Sequence, residues 1–335
     1  MAIDGFSIAC TGALAQSQAS ISGAIDGGIG YIKVDRYSEW KQSSSNIAAS
    51  SLTFSGKEDL GGGYVASYVL RSLFAVSTGA VSGGKLFGSE AKVGLEGPTG
   101  KIELGRLFSP THQSLVFKSP SQSNFAGAFN LAVGGYSAYW DNSIRYTSPV
   151  SNGVSFVGQH SRALLDSESI SNSRNGVGTA LALHYLKGPL DLSGVIEHTA
   201  TQTSPAIDYR VNRGTLMGTY DFGAFKLHLG HVNERYSGVG MPLDFDLSIL
   251  GASTGISPAL KLSVELGQKD FKNSANKANF VGLGAFYSLS KRTTVYSQIA
   301  VMRNEGASKQ SLYRGITVLP GEDTSGYVVG IRHTF

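Results

Sequence analysis

Apolar and polar side chains alternate along most of this chain, in segments of roughly ten residues separated by Gly, Asn, Ser or Pro. In one segment Leu260, Leu262, Val264 and Leu266 share a parity, and polar or small residues stand between them. Because successive side chains of a β-strand point to opposite faces, this pattern predicts strands with one apolar and one polar face. Helical periodicity is hard to find anywhere, so we predict an all-β fold.

The connections between these segments alternate between short turns and longer polar stretches. The short turns lie at 58–63, 97–100, 148–153, 187–190, 221–224, 255–259 and 288–293. The longer connections lie near 35–46, 76–85, 109–138, 162–175, 201–211, 235–243, 271–278 and 304–322. Barrels that span a membrane have this asymmetry between their two rims. The segments predict a transmembrane antiparallel up-and-down β-barrel of about 16 strands, wide enough for a water-filled lumen.

The last ten residues, 326–335, indicate what each face of such a strand must contact. Tyr327, Val329, Ile331 and Phe335 share one face, and the residues between them share the other. Lipid offers no hydrogen bonds to an open sheet edge, so a sheet in a membrane must close on itself. We therefore expect the apolar face to contact lipid and this strand to pair with the first strand, near 21–34.

Composition favours a membrane barrel over a soluble protein. Charged residues make up 16 % of the 335 residues, against roughly 25 % in a typical soluble domain. The mean hydropathy is −0.02, and no apolar run approaches the roughly 18 residues of a spanning helix. A soluble β-sandwich or repeat protein would also alternate, but the low charge, the turn asymmetry and the aromatic last residue disfavour it. The Lys and Arg residues are dispersed, so we expect no nucleic-acid partner.

The first 15 residues differ from the rest. The stretch Ala13-Leu14-Ala15 is typical of the small-residue end of a secretory signal, with cleavage before Gln16. A basic start and a full apolar middle are missing, so either the start codon is misplaced or the segment is not a signal. We interpret 1–15 as an incomplete signal-peptide remnant and 16–335 as a single barrel domain. Cys10 is the only cysteine, so an internal disulfide is excluded.

Five stretches of the sequence resemble the general porins of beta-proteobacterial outer membranes, a Gram-negative family. They are FSGKEDLGGGYVASYVL (54–70), FGSEAKVGLEGPTGKIELGRLFSP (87–110), DNSIRYTSP (141–149), YSLSKRTTVYSQIA (287–300) and GIRHTF (330–335). The resemblance implies a homotrimer of sixteen-stranded barrels, each with its own pore for passive diffusion of small hydrophilic solutes and ions. It also implies that the third long loop, about 107–138, folds into the barrel and narrows it.

The resemblance implies partners as well. These are outer-membrane lipid, lipopolysaccharide and the barrel-assembly machinery, for which we predict a C-terminal assembly signature of Tyr327, Ile331 and Phe335. It implies neither a cofactor nor catalysis.

In this family arginines on the barrel wall face the inserted loop and favour anions, and this sequence departs from that pattern. Ser51, Ser89 and Tyr139 stand where relatives commonly carry arginine, and Arg71 stands where they often carry glutamate. The candidate loop, 106–140, contains no Asp or Glu. We therefore predict a weakly positive constriction with a mild preference for anions. Its candidate residues are Ser51, Arg71, Ser89, Arg106, His112, Lys118, Tyr139 and Arg145.

The aromatic residues of this loop allow two interpretations. They can line an eyelet that favours a planar solute, or they can anchor the loop to the inner wall, which is the interpretation we favour. The residues are Phe108, Phe117, Phe125, Phe129, Tyr136, Tyr139 and Trp140. A barrel that chiefly serves adhesion or envelope structure is a further alternative to a diffusion pore.

Candidate chemistry elsewhere is sparse. His228 and His231 are three residues apart, which places them on opposite faces of a strand, so one strand cannot present both to a metal ion. No Ser-His-acid signature stands out in the sequence. We predict a channel rather than an enzyme.

Overall fold

The computed structural model describes residues 18–121, 125–132, 137–162, 176–204, 206–313 and 316–335. The predicted signal remnant, 1–15, and Tyr136 lie outside the described residues. Because of this, the domain division at residue 16 stays a prediction.

The described residues form one closed antiparallel sheet, in which strands that follow one another in the chain pair, except β2 with β3, and the last strand pairs with the first. The strands are β1 Gln18–Val34, β2 Tyr37–Ser44, β3 Ser51–Gly61, β4 Tyr64–Leu73, β5 Glu90–Gly97, β6 Gly100–Phe108, β7 Tyr139–Thr147, β8 Val154–Ser161, β9 Val177–Lys187, β10 Leu190–Ser204, β11 Ile207–Asp221, β12 Lys226–Val239, β13 Phe245–Gly255, β14 Leu260–Phe271, β15 Lys277–Ser288, β16 Thr293–Glu305 and β17 Thr324–Thr334. One α-helix, α1, spans Pro110–Phe117, and 3₁₀ turns span Ser82–Gly84 and Ala128–Ala132.

Across the described ranges, no helix has both the length and the apolar character needed to cross a membrane.

The strands β2 and β3 are two halves of one barrel strand. Residues 27–34 of β1 pair with β2, and residues 18–24 of the same strand pair with β3. The segment between the halves, 45–50, leaves the sheet and turns into the barrel. Counted around the barrel, the sheet therefore has sixteen strands, and the prediction of a sixteen-stranded up-and-down barrel is confirmed.

A buried carboxylate on β1 holds the inward segment 45–50 in place. Asp26 Oδ2 accepts the backbone N–H groups of Ile47 at 2.7 Å and Ala48 at 2.9 Å. The hydroxyl of Tyr296 on β16 donates to Asp26 Oδ1, and Asn46 Nδ2 donates to the same hydroxyl at 2.9 Å. Because a buried carboxylate needs several donors, this network stabilises the interruption of the strand.

The C-terminal strand has the predicted arrangement. Tyr327, Val329 and Ile331 are exposed on the outer face, and the alternate residues face inward. The strand pairs with residues 24–34 of β1, and Phe335 and Gly23 exchange backbone hydrogen bonds of 3.1 and 3.0 Å. The predicted closure against the first strand is confirmed.

Residues paired in register across β12–β16 locate a boundary on the outer face. One row is apolar and exposed: Leu229, Leu250, Leu266, Val281 and Val301. The next outward-facing row towards the long-loop rim is polar: His231, Ser248, Gln268, Asn279 and Arg303. The outward-facing side chains thus change from apolar to polar between two successive rows, as expected where the hydrocarbon layer of a membrane ends.

Several predicted long connections are shorter in the structure. Only two residues separate β1 from β2, where we expected a loop over 35–46, and two residues separate β10 from β11 within the expected loop 201–211. Above the apolar band both faces of a strand can be polar, so strand ends there have the composition of loops. The long connections that remain lie between β4 and β5, β6 and β7, β8 and β9, and β16 and β17.

The connection between β6 and β7, residues 109–138 and here called loop L3, folds into the barrel as predicted. Its helix α1 begins at Ser109, whose Oγ accepts the N–H of His112 at 3.1 Å, with Pro110 in the first turn. An apolar cluster joins L3 to the inner wall of β11–β16. Its main members are Leu115, Phe125, Phe129 and Leu131 from L3, and Met217, Phe245, Leu247, Phe280 and Met302 from the wall.

Candidate pore constriction

Charged residues on the inner face of β14 fix the position of L3. Lys261, Glu265 and Lys269 are four residues apart, so they lie on the same face of the strand. Lys261 Nζ donates to the Pro120 carbonyl at 3.1 Å, and Lys269 Nζ donates to the Leu131 carbonyl at 2.9 Å. Backbone carbonyls of L3 therefore bond to two points of one rigid strand.

The middle residue of this set binds L3 through hydroxyl groups. Glu265 is buried and accepts hydrogen bonds from Ser119 Oγ at 3.0 Å and Ser121 Oγ at 3.2 Å. On β12, His228 Nδ1 forms a 2.7 Å hydrogen bond with the Lys118 carbonyl, so Nδ1 must carry the proton, since a carbonyl only accepts. These bonds hold L3 against one side of the barrel and leave the other side open.

The open side is a cavity of about 820 Å³. Four basic residues line it, Lys41, Arg71, Lys261 and Arg332, here called the lumen cations. Among the described residues that line this cavity there is no Asp or Glu. Within the described part of the chain, none of the lumen cations takes part in an ion pair. The potential inside this cavity is therefore positive.

A second cavity of about 460 Å³ lies towards the short-turn rim and has mixed charge. Its walls include Asp191, Asp221, Lys226 and His228. The two cavities share Phe117, Lys261 and Ser288. Phe117, the last residue of α1, thus stands at the junction between them.

Three predicted site residues meet on the wall of the larger cavity. Arg71 Nη2 donates to Ser51 Oγ at 3.3 Å, and the Arg71 carbonyl accepts the backbone N–H of Ser89 at 3.2 Å. Within the described residues, the buried atoms Arg71 Nε and Ser89 Oγ have no hydrogen-bond partner. The two serines and Arg71 are therefore neighbours.

Three further predicted residues meet in an aromatic group on L3 and β7. The Phe108 ring stacks on His112 at 5.3 Å and lies 5.0 Å from the Tyr139 ring. The Arg106 guanidinium lies 5.1 Å from the Tyr139 ring centroid and pairs with Asp141. His112 and Tyr139 line the larger cavity, whereas Arg106 is not among its lining residues.

Lys118 and Arg145 lie away from the larger cavity. Lys118 is buried and pairs with Asp191. Arg145 is buried, donates through Nε to Gln159 Oε1 at 2.9 Å, and donates through Nη2 to the Phe108 carbonyl. The Lys118 charge is thus paired with Asp191, and the Arg145 guanidinium is hydrogen-bonded to uncharged groups of the protein. Their role in selectivity, like that of the whole predicted set, stays a prediction.

The loop aromatics divide between the two interpretations. Phe125, Phe129 and Trp140 are almost fully buried, which is what anchoring residues require. Phe117 is 57 % exposed and, with Phe108, His112 and Tyr139, lines the larger cavity.

Sequence reasoning missed three of the lumen cations. Lys41 falls in the connection expected at 35–46, which is strand β2 in the structure. Lys261 and Arg332 have the inward parity that the alternation gives them, and that parity was the available signal. The two histidines of β12 lie on opposite faces as predicted, His228 buried inside and His231 exposed outside. In the described ranges no cluster of three His, Cys, Asp or Glu residues is suited to a metal ion.

Comparisons with known proteins agree with this architecture. The family model described as Gram-negative porin matches residues 6–307. The chain is 30 % identical over 340 residues to outer membrane porin protein 32 of Delftia acidovorans, covering 96 % of this chain and 95 % of that protein. Its fold matches a structure described as an anion-selective porin from Comamonas acidovorans, with a TM-score of 0.84 and 26 % identity, covering 96 % of this chain and 100 % of that chain.

A structure of Vibrio cholerae OmpT in a trimer form matches with a TM-score of 0.72 and 14 % identity, covering 95 % of this chain and 99 % of that chain. At this identity the match supports the fold alone. With the closed barrel and the inserted loop, these matches confirm the resemblance seen in the sequence: the chain belongs to the Gram-negative porin family and is an outer-membrane channel for passive diffusion, not an enzyme.

Proposed function

We propose that this channel passes small hydrophilic solutes with a preference for anions. The observation that carries the proposal is the larger cavity, where four basic residues form no ion pair in the described part of the chain and no Asp or Glu is among the described lining residues. In a narrow lumen with low-dielectric walls, such charges concentrate anions and repel cations. The relative from Comamonas acidovorans, described as anion-selective, supports the same assignment.

The reversal potential of the purified protein in a planar bilayer tests this preference. In a KCl gradient, chloride should cross faster than potassium, so the dilute side should become negative. A reversal potential near zero, or of the opposite sign, would overturn the proposal. The measurement uses the full chain in detergent-free lipid and needs no added ligand.

Homotrimer assembly is part of the same proposal. It is supported by membership in the porin family and by the trimer form described for the Vibrio cholerae relative. Insertion of one particle should raise the bilayer current in three equal steps, and the detergent-solubilised protein should have the mass of three chains. A single step with the mass of one chain would contradict trimer assembly.

We also propose lipid, lipopolysaccharide and the barrel-assembly machinery as partners. The exposed outer row of Tyr327 and Ile331, with Phe335 at the end of β17, supports a recognisable C-terminal strand. Replacement of Phe335 by Ser should lower the amount of folded barrel in outer membranes, measured by its resistance to unfolding in cold detergent. Normal levels would remove Phe335 from the signature.

A further inference from the structure

We propose that the larger cavity holds a saturable site for aromatic carboxylates. The ring of the solute would contact Phe117, His112 and Tyr139, and its carboxylate would bind Arg71. This inference rests on the proposed anion preference, because a lumen that repelled anions would exclude such a solute.

The first observation is an apolar ring in the water-filled lumen. Phe117 is 57 % exposed, although nearby Leu115 belongs to the apolar cluster and Val116 packs against it. Its ring lies edge-on to Phe108 at 6.3 Å, so it extends an aromatic group into the path between the two cavities. A solute that crosses the junction must pass this ring, and a planar ring gains most from the contact.

The second observation is an unsatisfied polar group beside the aromatic one. Arg71 forms no ion pair in the described part of the chain, and its buried Nε lacks a hydrogen-bond partner there. Arg71 lines the cavity, and a carboxylate, which only accepts hydrogen bonds when ionised, would supply its guanidinium with a charged partner.

The two groups are connected through the wall. The backbone N–H of Ser89 donates to Arg71, and the preceding carbonyl, of Gly88, accepts Arg106 Nε at 2.8 Å. Arg106 in turn lies over the Tyr139 ring. Arg71 and Tyr139 both line the larger cavity. A single-ring carboxylate satisfies the cation and the rings together, whereas an aliphatic anion satisfies the cation alone.

Block of the chloride current in a planar bilayer tests the inference. Benzoate and cyclohexanecarboxylate carry the same charge on six-membered rings, but only benzoate is flat and aromatic. Benzoate should block the current with saturation, at a half-blocking concentration about fivefold lower than that of cyclohexanecarboxylate. Equal block by the two anions, or no block by either, would overturn the aromatic site.

Two pairs of variants locate the site. Phe117→Leu keeps an exposed apolar side chain and should remove the preference for benzoate. Tyr287→Leu, on the outer face, should leave that preference unchanged. Arg71→Gln should weaken block by both anions about tenfold, whereas Lys226→Gln in the second cavity should not. Unchanged block in Phe117→Leu and Arg71→Gln would place any binding elsewhere and overturn the assignment.

The reversal potential distinguishes a failure of the aromatic site from a failure of the proposed anion preference. If the channel prefers chloride but both ring anions block its current equally, the proposal of an aromatic site is wrong and the proposed function stands. If the reversal potential shows cation preference, the proposed function itself fails.

Discussion

Two regions of the inner wall carry arginine, and they use it differently. On β11, Arg213 lies between Glu197 on β10 and Glu234 on β12, forms an ion pair with each, and is buried with both. On β4 and β17, Arg71 and Arg332 face the larger cavity and form no ion pair in the described residues. All these side chains point inward. The parity of a strand residue decides which face it occupies, but only its partners decide whether its charge acts on a solute.

Removal of the paired arginine should have the largest effect on stability. In Arg213→Met the carboxylates of Glu197 and Glu234 would lose their buried partner, which costs about 3–5 kcal/mol. We expect a matching fall in the free energy of unfolding, measured by urea denaturation of the barrel in detergent micelles. Lys57→Met, at an exposed position, is the control and should change the unfolding free energy by less than about 0.5 kcal/mol.

An unchanged unfolding free energy for Arg213→Met would show that the two carboxylates can be protonated or hydrated at low cost. The ion pairs of Arg213 on β10–β12 would then contribute little to stability, and the paired arginine would not differ in this respect from the unpaired arginines Arg71 and Arg332.

Selectivity should show the opposite contrast. Replacement of Lys41, Arg71 and Arg332 together by Gln removes three cations that face the larger cavity and form no ion pair in the described residues, so the ratio of chloride to potassium permeability should fall to about one. The double variant Lys118→Met with Asp191→Asn removes a paired cation together with its partner. It should leave the ratio unchanged.

The measurement is the reversal potential of each variant in the same KCl gradient. A large change in the Lys118–Asp191 double variant, or none in the triple variant, would show that the larger cavity does not control permeation.

These two regions also show what the sequence could predict. Alternation alone predicts that Glu197, Arg213 and Arg332 face inward and that Tyr327 faces lipid, because a strand has a period of two. It cannot predict that Arg213 has two acidic partners, since those lie on other strands whose register is set by the whole barrel. The alignment with relatives located Arg71, whereas strand parity indicated Arg145 as a lumen residue, and the structure buries Arg145 against Gln159.

The site was only partly predictable for the same reason. L3 leaves one half of the lumen open because β14 presents Lys261, Glu265 and Lys269 to it. A hydrogen bond between residues more than a hundred positions apart leaves no local pattern. By contrast, the number of strands and the closure of β17 on β1 follow from patterns that repeat along the chain.

Higher ionic strength should weaken the effect of the solvent-exposed lumen cations on selectivity but not the effect of the buried Arg213 pairs on stability. The lumen cations act through water, and the Debye length falls from about 10 Å at 0.1 M salt to about 3 Å at 1 M. With the same concentration ratio across the bilayer, anion preference should therefore weaken at the higher mean salt concentration. The unfolding free energy should change little, because the Arg213 pairs are shielded from solvent. A preference independent of salt would indicate selection by pore width instead of charge.

The smallest expected effect concerns a pair at the long-loop rim in which Arg36 is exposed and Glu322 is largely buried. Arg36 Nη2 donates to Glu322 Oε2 at 3.1 Å, and the same oxygen accepts the N–H of Leu319 at 2.8 Å. The hydrogen bond from the Arg36 guanidinium holds the pKa of the Glu322 carboxyl below its usual range. A carboxyl with a lowered pKa contributes stability above its unfolded pKa of about 4.3 and loses it as the pH falls through the folded value.

Acidification should therefore free the end of the connection between β16 and β17 without affecting the Arg213 pairs. We expect the protection of the Leu319 amide against hydrogen exchange, corrected for the intrinsic rate, to decrease as the pH falls below about 4. The Gly321 amide, which donates to the Ser308 carbonyl at 2.7 Å, is the internal control, because its partner does not titrate. In Glu322→Gln the Leu319 amide should have low protection at every pH. Equal protection of this amide at neutral and acid pH in the unmodified protein would show that this pair contributes nothing, as many surface ion pairs do.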